Sequence, residues 1–318
     1  MTQHNSSPLS MIRVDVCVCT YRRPYLAETL RSLAALELPA HVQARIIVAD
    51  NDAAASAREL VASIAPSLPF ELVYIHCPAS NISLARNACL DAAGGDFLAF
   101  VDDDSTVTAR WLAALIETAG TTGADAVLGP VQSVYAATAP GWMRRGDFHS
   151  TSPVWVDGQI RTGYSGNVLL RRASPYVEGR RFNLSLGKTG GEDTEYFSQL
   201  HTAGGRIAYA EDALVLEPVT EDRAQLQWLV KRRFRSGQTH GRLLASQQTG
   251  RRSVQIGLAA AKAAYCFAGA GALVAVPHKR NRQALRGIMH AGAISGLLGV
   301  REIRLYGDEP AGGRPHAA

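Results

Sequence analysis

Short apolar blocks and helically spaced leucines alternate through the first hundred positions. "VDVCVC" (14–19) predicts a strand, and Leu26, Leu30 and Leu33 then recur on one helical face. Pro24 suits the first turn of that helix. "ARIIVAD" (44–50) predicts a second strand, a helix follows near 54–64, and "FELVYIHC" (70–77) predicts a third strand. "SLARNACLDAAGG" (83–95) reads as a helix stopped by two glycines, ahead of a fourth strand, "FLAFV" (97–101). Apolar strands alternating with helices predict a parallel, helix-covered α/β sheet. After a helix over 111–120 the pattern loosens into a loop and strand at 162–172, a helix from 192, and one or two strands within 206–219. From Asp222 onward the chain reads as helical.

Charge sharpens this division. The net charge of +5 conceals a segment, Arg223 to Arg304, with fifteen Lys or Arg and one acid, Glu302. That segment carries +14 and the remainder −9, a distribution that points to anionic partners. The expected organisation is a flexible start (1–12), an α/β domain (13–222), a basic helical region (223–304) and a disordered tail (305–318). The five cysteines form no CxxC pair, which suggests reduced thiols, no structural zinc and a cytosolic setting. No secretory signal is visible at the N-terminus. Ile256–Val276 has the length of a membrane span but is rich in Ala and Gly, and a second weak apolar run, 284–299, follows Pro277. With basic residues at both borders, spanning, lying on a lipid surface and packing as a soluble helix all stay open.

The candidate chemistry begins at "VDDDS" (101–105). Three consecutive carboxylates where an apolar strand ends can offer oxygens to Mg2+ or Mn2+, which take one or two carboxylates and complete their shell with phosphates. The plainer alternative is a solvated turn or a helix N-cap using Thr106 or Thr108. Thr20 and Asp50 also stand at strand ends, where open α/β sheets bind their ligands. "LGKTGGE" is no phosphate-binding loop, because Phe182 stands where the first glycine must be.

"VCVCTYRRP", "IIVADN", "NISLARNACLDAAGGDFLAFVDDDS", "GYSGNVLLRR" and "GGEDTEYFSQL" stand in one order along residues 13–217. Together they resemble the inverting, family 2 glycosyltransferases of GT-A fold, and within them the bacterial exopolysaccharide glucosyltransferases of succinoglycan type. The resemblance implies a Rossmann-like, mostly parallel sheet with helices on both faces. It implies that Asp104 and Asp102 bind the metal, that Asp102 or Asp103 faces ribose and sugar, and that Asp50 and Asn51 bind the base. Thr20 and Arg22 would lie close to the nucleotide, and Arg86 would meet the diphosphate or fix the aspartates. Asp193 would be the general base and Glu192 its neighbour. Trp142, Tyr164, Trp228, Arg232 and Arg235 are candidates for acceptor or diphosphate contacts, and Trp155 could stack on a sugar.

The implied reaction moves one sugar, glucose from UDP-glucose first among candidates, to a lipid-linked glycan at the inner face of the cell membrane. Without a clear Gln-x-x-Arg-Trp signature the chain does not resemble a processive synthase. The alternatives are a nucleic-acid- or anion-binding protein using the basic region, or a transferase with another donor and acceptor. Few aromatics interleave with the basic residues, so nucleic acid is not the expected partner.

Overall fold

A computed structural model describes residues 10–247 and 251–303. Most of the expected flexible start and the whole expected disordered tail lie outside the described residues. The chain runs β1 (Ile12–Thr20), α1 (Leu26–Ala34), β2 (Val42–Asp50), α2 (Arg58–Ile64), β3 (Glu71–His76), α3 (Ile82–Ala92), β4 (Phe97–Asp102) and β5 (Thr106–Val107). It continues through α4 (Trp111–Thr122), β6 (Ala126–Leu128), β7 (Val131–Tyr135), α5 (Gly141–Gly146), β8 (Trp155–Val156), β9 (Gln159–Ile160) and β10 (Asn167–Arg171). α6 (Glu192–Thr202), β11 (Ile207–Tyr209) and β12 (Val215–Val219) precede three long helices, α7 (Leu226–Gln247), α8 (Arg252–Ala272) and α9 (Pro277–Leu297).

Two compact units result. The first comprises residues up to Val134, His149–Phe182 and Asp193–Val219. Its seven-stranded sheet has the order β11-β6-β10-β4-β1-β2-β3 and is parallel except for β10. Alternation explains its two cores. Val14, Val16 and Val18 of β1 join Leu30, Leu33 and Trp111 on one face, while Cys17 joins Cys89, Leu98, Phe100 and Phe197 on the other. Each fully buried Leu or Phe there contributes about 1.5–3 kcal/mol. A small sheet, β5-β12-β7, and the hairpin β8–β9 complete the unit.

Local details depart from the sequence reading for identifiable reasons. Pro24 precedes the N-cap of α1, Tyr25, instead of opening the helix. α3 ends at Ala92, and Gly94 and Gly95 do not stop it. Their amides donate to the buried Asp15 carboxylate at 2.7 and 2.8 Å, and a Cβ at Gly95 would lie 2.6 Å from the Arg13 carbonyl oxygen. These glycines allow a close backbone approach to β1. Thr106 opens β5 and the N-cap of α4 is Arg110, so the aspartate turn joins two strands and caps no helix.

The second unit gathers Tyr135–Phe148, Asn183–Glu192 and the chain from Thr220. Two discontinuous segments therefore join the C-terminal helices. α7 and α9 meet through reciprocal glycines. A methyl at Gly237 would meet the Met289 carbonyl, one at Gly241 the Ala293 carbonyl, and those at Gly292 and Gly296 the Phe234 and Gln238 carbonyls. Spacing of four on both helices brings the backbones together, as small-xxx-small pairs do. Pro277 opens α9, where its missing N–H costs nothing. No helix among the described residues is long and apolar enough to cross a membrane, which removes the spanning reading of 256–276.

Candidate active site

Strand register assembles the site. Thr20 pairs with Asp50 and Cys19 with Asp102, while Asp50 pairs with His76. The carboxyl ends of β1, β2, β3 and β4 thus stop in one row, and the polar residues that follow share one edge of the sheet. The sequence placed each residue at a strand end; pairing makes them neighbours.

The loop after β1 carries the positive charge. Arg22 adopts φ +53°, a left-handed conformation that is uncommon for a non-glycine residue, and donates Nε to Asp52 Oδ2 at 3.0 Å. That bond holds the Asp52 carboxyl below its ordinary range. Arg23 reaches Asp103 at 3.9 Å and Asp104 at 3.8 Å. At these distances, with the arginine well exposed, the pairs contribute little to stability and remain able to exchange for a ligand. Neither Asp52 nor Arg23 was singled out from sequence. "YRRP" and "ADND" held that signal, since each follows a strand.

Asp50 and Asn51 are buried beneath this surface. Asp50 accepts from the amides of Asp52 and Ala57 at 3.0 and 2.9 Å and from the Tyr74 hydroxyl at 2.7 Å, and so shapes the 51–57 loop. Asn51 accepts the Asn81 amide at 2.9 Å, and Asn81 caps α3 by accepting from Leu84. The same cap sets α3 so that Arg86, in its second turn, lies 3.9 Å from Asp102 and over the Phe182 ring.

The three aspartates divide by environment. Asp103 accepts the Tyr21 amide at 3.3 Å, and its side chain is 12% exposed. Lost hydration, then Asp104, push its carboxyl up to about 7, against Thr20, Arg23 and the Tyr21 amide. Asp102 keeps half its side chain in solvent and is also pushed up, by desolvation in its recess and then by Asp104, Glu217 and Asp103 once Arg86 is set against them. Gly166 packs against it: a Cβ there would stand 2.6 Å from Asp102 Oδ2. The next residue, Asn167, fixes the loop by accepting the Trp111 indole N–H at 2.8 Å and donating to the Pro130 and Ala213 carbonyls.

That loop also touches α6. Thr162 donates to the Thr194 carbonyl at 3.1 Å, so one segment meets both the aspartate turn and the first turn of α6, which carries Asp193. Asp193 is half-buried, and its Oδ1 accepts from the Thr194 amide at 2.6 Å. Tyr164 donates its hydroxyl to the Gly129 carbonyl at 2.6 Å and packs in the core, whereas Trp155 is 55% exposed on its hairpin.

The remaining candidates belong to the second unit. Glu192 is buried, and Trp142 packs edge-on against Phe148. Trp228 lies beneath the guanidinium groups of Arg223 and Arg232 at 5.9 and 5.1 Å. Arg235 donates to the Thr189 carbonyl at 2.7 Å beside Gly190, whose φ of +84° and close approach require glycine. All five cysteines are free, with Cys19 and Cys89 sulfurs 3.9 Å apart.

Comparison with known proteins agrees with this architecture. Residues 15–175 match the model of glycosyl transferase family 2. Succinoglycan biosynthesis protein ExoM of Rhizobium meliloti (strain 1021) is 60% identical over 301 residues, covering 94% of this chain and 97% of its own. Crystal structures of S. aureus TarS superpose with a TM-score of 0.53 at 18% identity, covering 91% of this chain and 54% of TarS. TarS 1–349 in complex with UDP gives 0.52, with 92% of that shorter chain covered. GalNAc-T7 with UDP, GalNAc and Mn2+ gives 0.53 at 14% identity, over 70% of this chain and 47% of its own. The solved structures establish the fold and the sequence relatives the family, so the chain is a glycosyltransferase of family 2, built on the GT-A fold.

Proposed function

We propose that the chain transfers one hexose, glucose from UDP-glucose as first candidate, to a lipid-linked oligosaccharide in exopolysaccharide or cell-surface glycan assembly. The observation that carries this reading is the register-aligned row of Thr20, Asp50 and Asp102, with Arg22, Arg23 and Arg86 around it. Ligands of such sheets bind beyond the carboxyl ends of the strands, and a nucleoside diphosphate matches the mixture of arginines and carboxylates. The name of the ExoM relative supports the succinoglycan-type pathway, and UDP or UDP-GlcNAc bound to TarS supports a UDP-sugar.

The aspartate turn fits a divalent cation. Asp102 and Asp103, crowded beside Asp104, are both pushed up, and a cation relieves that crowding; among the described residues no preformed group of three acidic, His or Cys ligands occurs. Asp104 and Asp102 would hold Mg2+ or Mn2+, with diphosphate and water completing the shell. When bound, the ion offsets the charge that builds on the departing diphosphate. Arg86 positions Asp102 and adds positive charge on the same side. Asp103 and Asn51 line the ribose and base region, with Asp50 fixing the loop beneath them and Thr20 and Arg22 at its border.

Asp193 takes the proton from the acceptor hydroxyl as that oxygen attacks the anomeric carbon opposite the leaving diphosphate. One such displacement inverts the configuration. Thr194 orients the carboxylate through its amide. Tyr164 steadies the 162–167 segment through the Gly129 carbonyl, and within the second unit Trp228, Arg232 and Arg235 of α7 form an aromatic, cationic surface suited to an acidic group. A lipid-linked acceptor keeps the reaction at the inner face of the cell membrane.

Binding and hydrolysis of UDP-, dTDP- and GDP-sugars with and without Mn2+ test the reading, with the anomeric configuration of the product read by NMR. Metal-dependent preference for UDP-glucose and an inverted product are expected; a retained configuration overturns the mechanism.

A further inference from the structure

α8 packs on α9 and buries Ala259, Ala263 and Cys266, spaced four and three apart. On its other side Val254, Leu258, Ala261, Tyr265, Ala268 and Ala272 recur at helical spacing, and all six are exposed. Tyr265 is 76% exposed and Val254 57%. A helix that is apolar on both faces normally has a partner on both.

The charge around this stripe is of one sign. No carboxylate occurs between Arg223 and Arg301. Arg251 and Arg252 border the first turn, Lys262 flanks the stripe midway, and Lys279 lies exposed beyond the last turn. A protein partner with an acidic rim would have to match cations scattered along about 30 Å of surface. A lamellar anionic surface matches them without specific pairing. Alanine and glycine keep the helix too weakly apolar to span a bilayer, and no described helix meets that requirement. An exposed tyrosine at the centre of the stripe suits the headgroup boundary, where its ring is half solvated.

We infer that the outer face of α8 docks flat on an anionic lipid bilayer, with Leu258 and Tyr265 entering the headgroup boundary and the flanking cations meeting lipid phosphates. This deepens the lipid-linked-acceptor reading and rests on it for its purpose, while its test is independent of transfer.

Full-length protein is mixed with vesicles of phosphatidylglycerol and phosphatidylcholine, or of phosphatidylcholine alone, and flotation is measured across a salt series. Expected is at least tenfold stronger partition onto the anionic vesicles, weakening as salt rises. The Leu258→Glu/Tyr265→Glu variant is expected to lose at least tenfold on anionic vesicles, with UDP affinity and the melting temperature unchanged. A milder Tyr265→Ser variant, losing several-fold, keeps the test valid if the double variant misfolds. Equal partition onto both vesicle types overturns the inference. So does a concentration-dependent oligomer that these substitutions dissociate in the absence of vesicle binding. Vesicle binding together with failure to use any lipid-linked acceptor leaves the docking face standing and removes the acceptor reading instead.

Discussion

The two units solve opposite packing problems with opposite residues. The sheet unit fills both faces with Val, Ile, Leu and Phe, and sets Asp50 and Asp102 where strands end. The helical unit joins α7 to α9 through Gly237, Gly241, Gly292 and Gly296, so backbone contact replaces bulky side chains. One gathers like charges at a point, the other spreads cations along three helices that carry no acid of their own. The difference teaches that concentrated charge marks a site for a compact ligand, and distributed charge marks a surface for an extended one.

The largest expected effects fall on the concentrated side. Asp104→Ala should lower kcat/KM by about a thousandfold or more and abolish metal-dependent UDP binding, read by calorimetry with and without Mn2+. Asp193→Asn should lower kcat by about 10²–10⁴-fold while UDP binding persists. Normal turnover by that variant would sink the base assignment.

The helical side breaks through volume. Gly237→Val places a branched side chain against the Met289 carbonyl and should cost about 3 kcal/mol or more, measured by urea unfolding. A change at Gly120, which has nothing within 4 Å of its Cβ position, is the control and should leave the midpoint almost unmoved.

A smaller effect separates charge from packing. Asp103 has a folded pKa near 7 against about 3.9 unfolded, so the native state binds more protons between those values. Stability of the metal-free protein should therefore fall as pH rises from about 4 to about 7. Saturating Mn2+ should flatten that slope, and melting curves across pH with EDTA or Mn2+ decide it. An identical slope in both series would contradict a cation at the turn. Gly166→Ala should lower kcat about tenfold by displacing Asp102, with less than about 1 kcal/mol lost in stability. Smallest of all, Trp155→Ala should raise KM for the acceptor a few-fold and leave donor hydrolysis intact, because the indole is exposed on its hairpin.

Much of this was legible in the chain. Alternating apolar blocks gave the first four strands, and the triple aspartate lay where one of them stops. Other parts were not legible, for physical reasons. Gly94 and Gly95 looked like a helix stop because glycine serves turns and close approaches alike, and only the nearness of Asp15 distinguishes them. Arg23 and Asp52 join the aspartates and Arg22 through loops, whose conformations do not follow from periodicity. The glycine spacing that docks α7 on α9 lay within one segment that reads as a basic helix and another that reads as weakly apolar, and neither pattern marks a backbone contact.

By itself the sequence determined which residues alternate, where strands stop and where charge concentrates, since those follow from local periodicity and composition. Which strand ends lie side by side was decided only by tertiary structure. Register couples residues more than fifty positions apart, and no local pattern records that Cys19 faces Asp102. The same holds for α8: its sequence is apolar on more than one face, and only its packing on α9 decides which stripe is left for a partner.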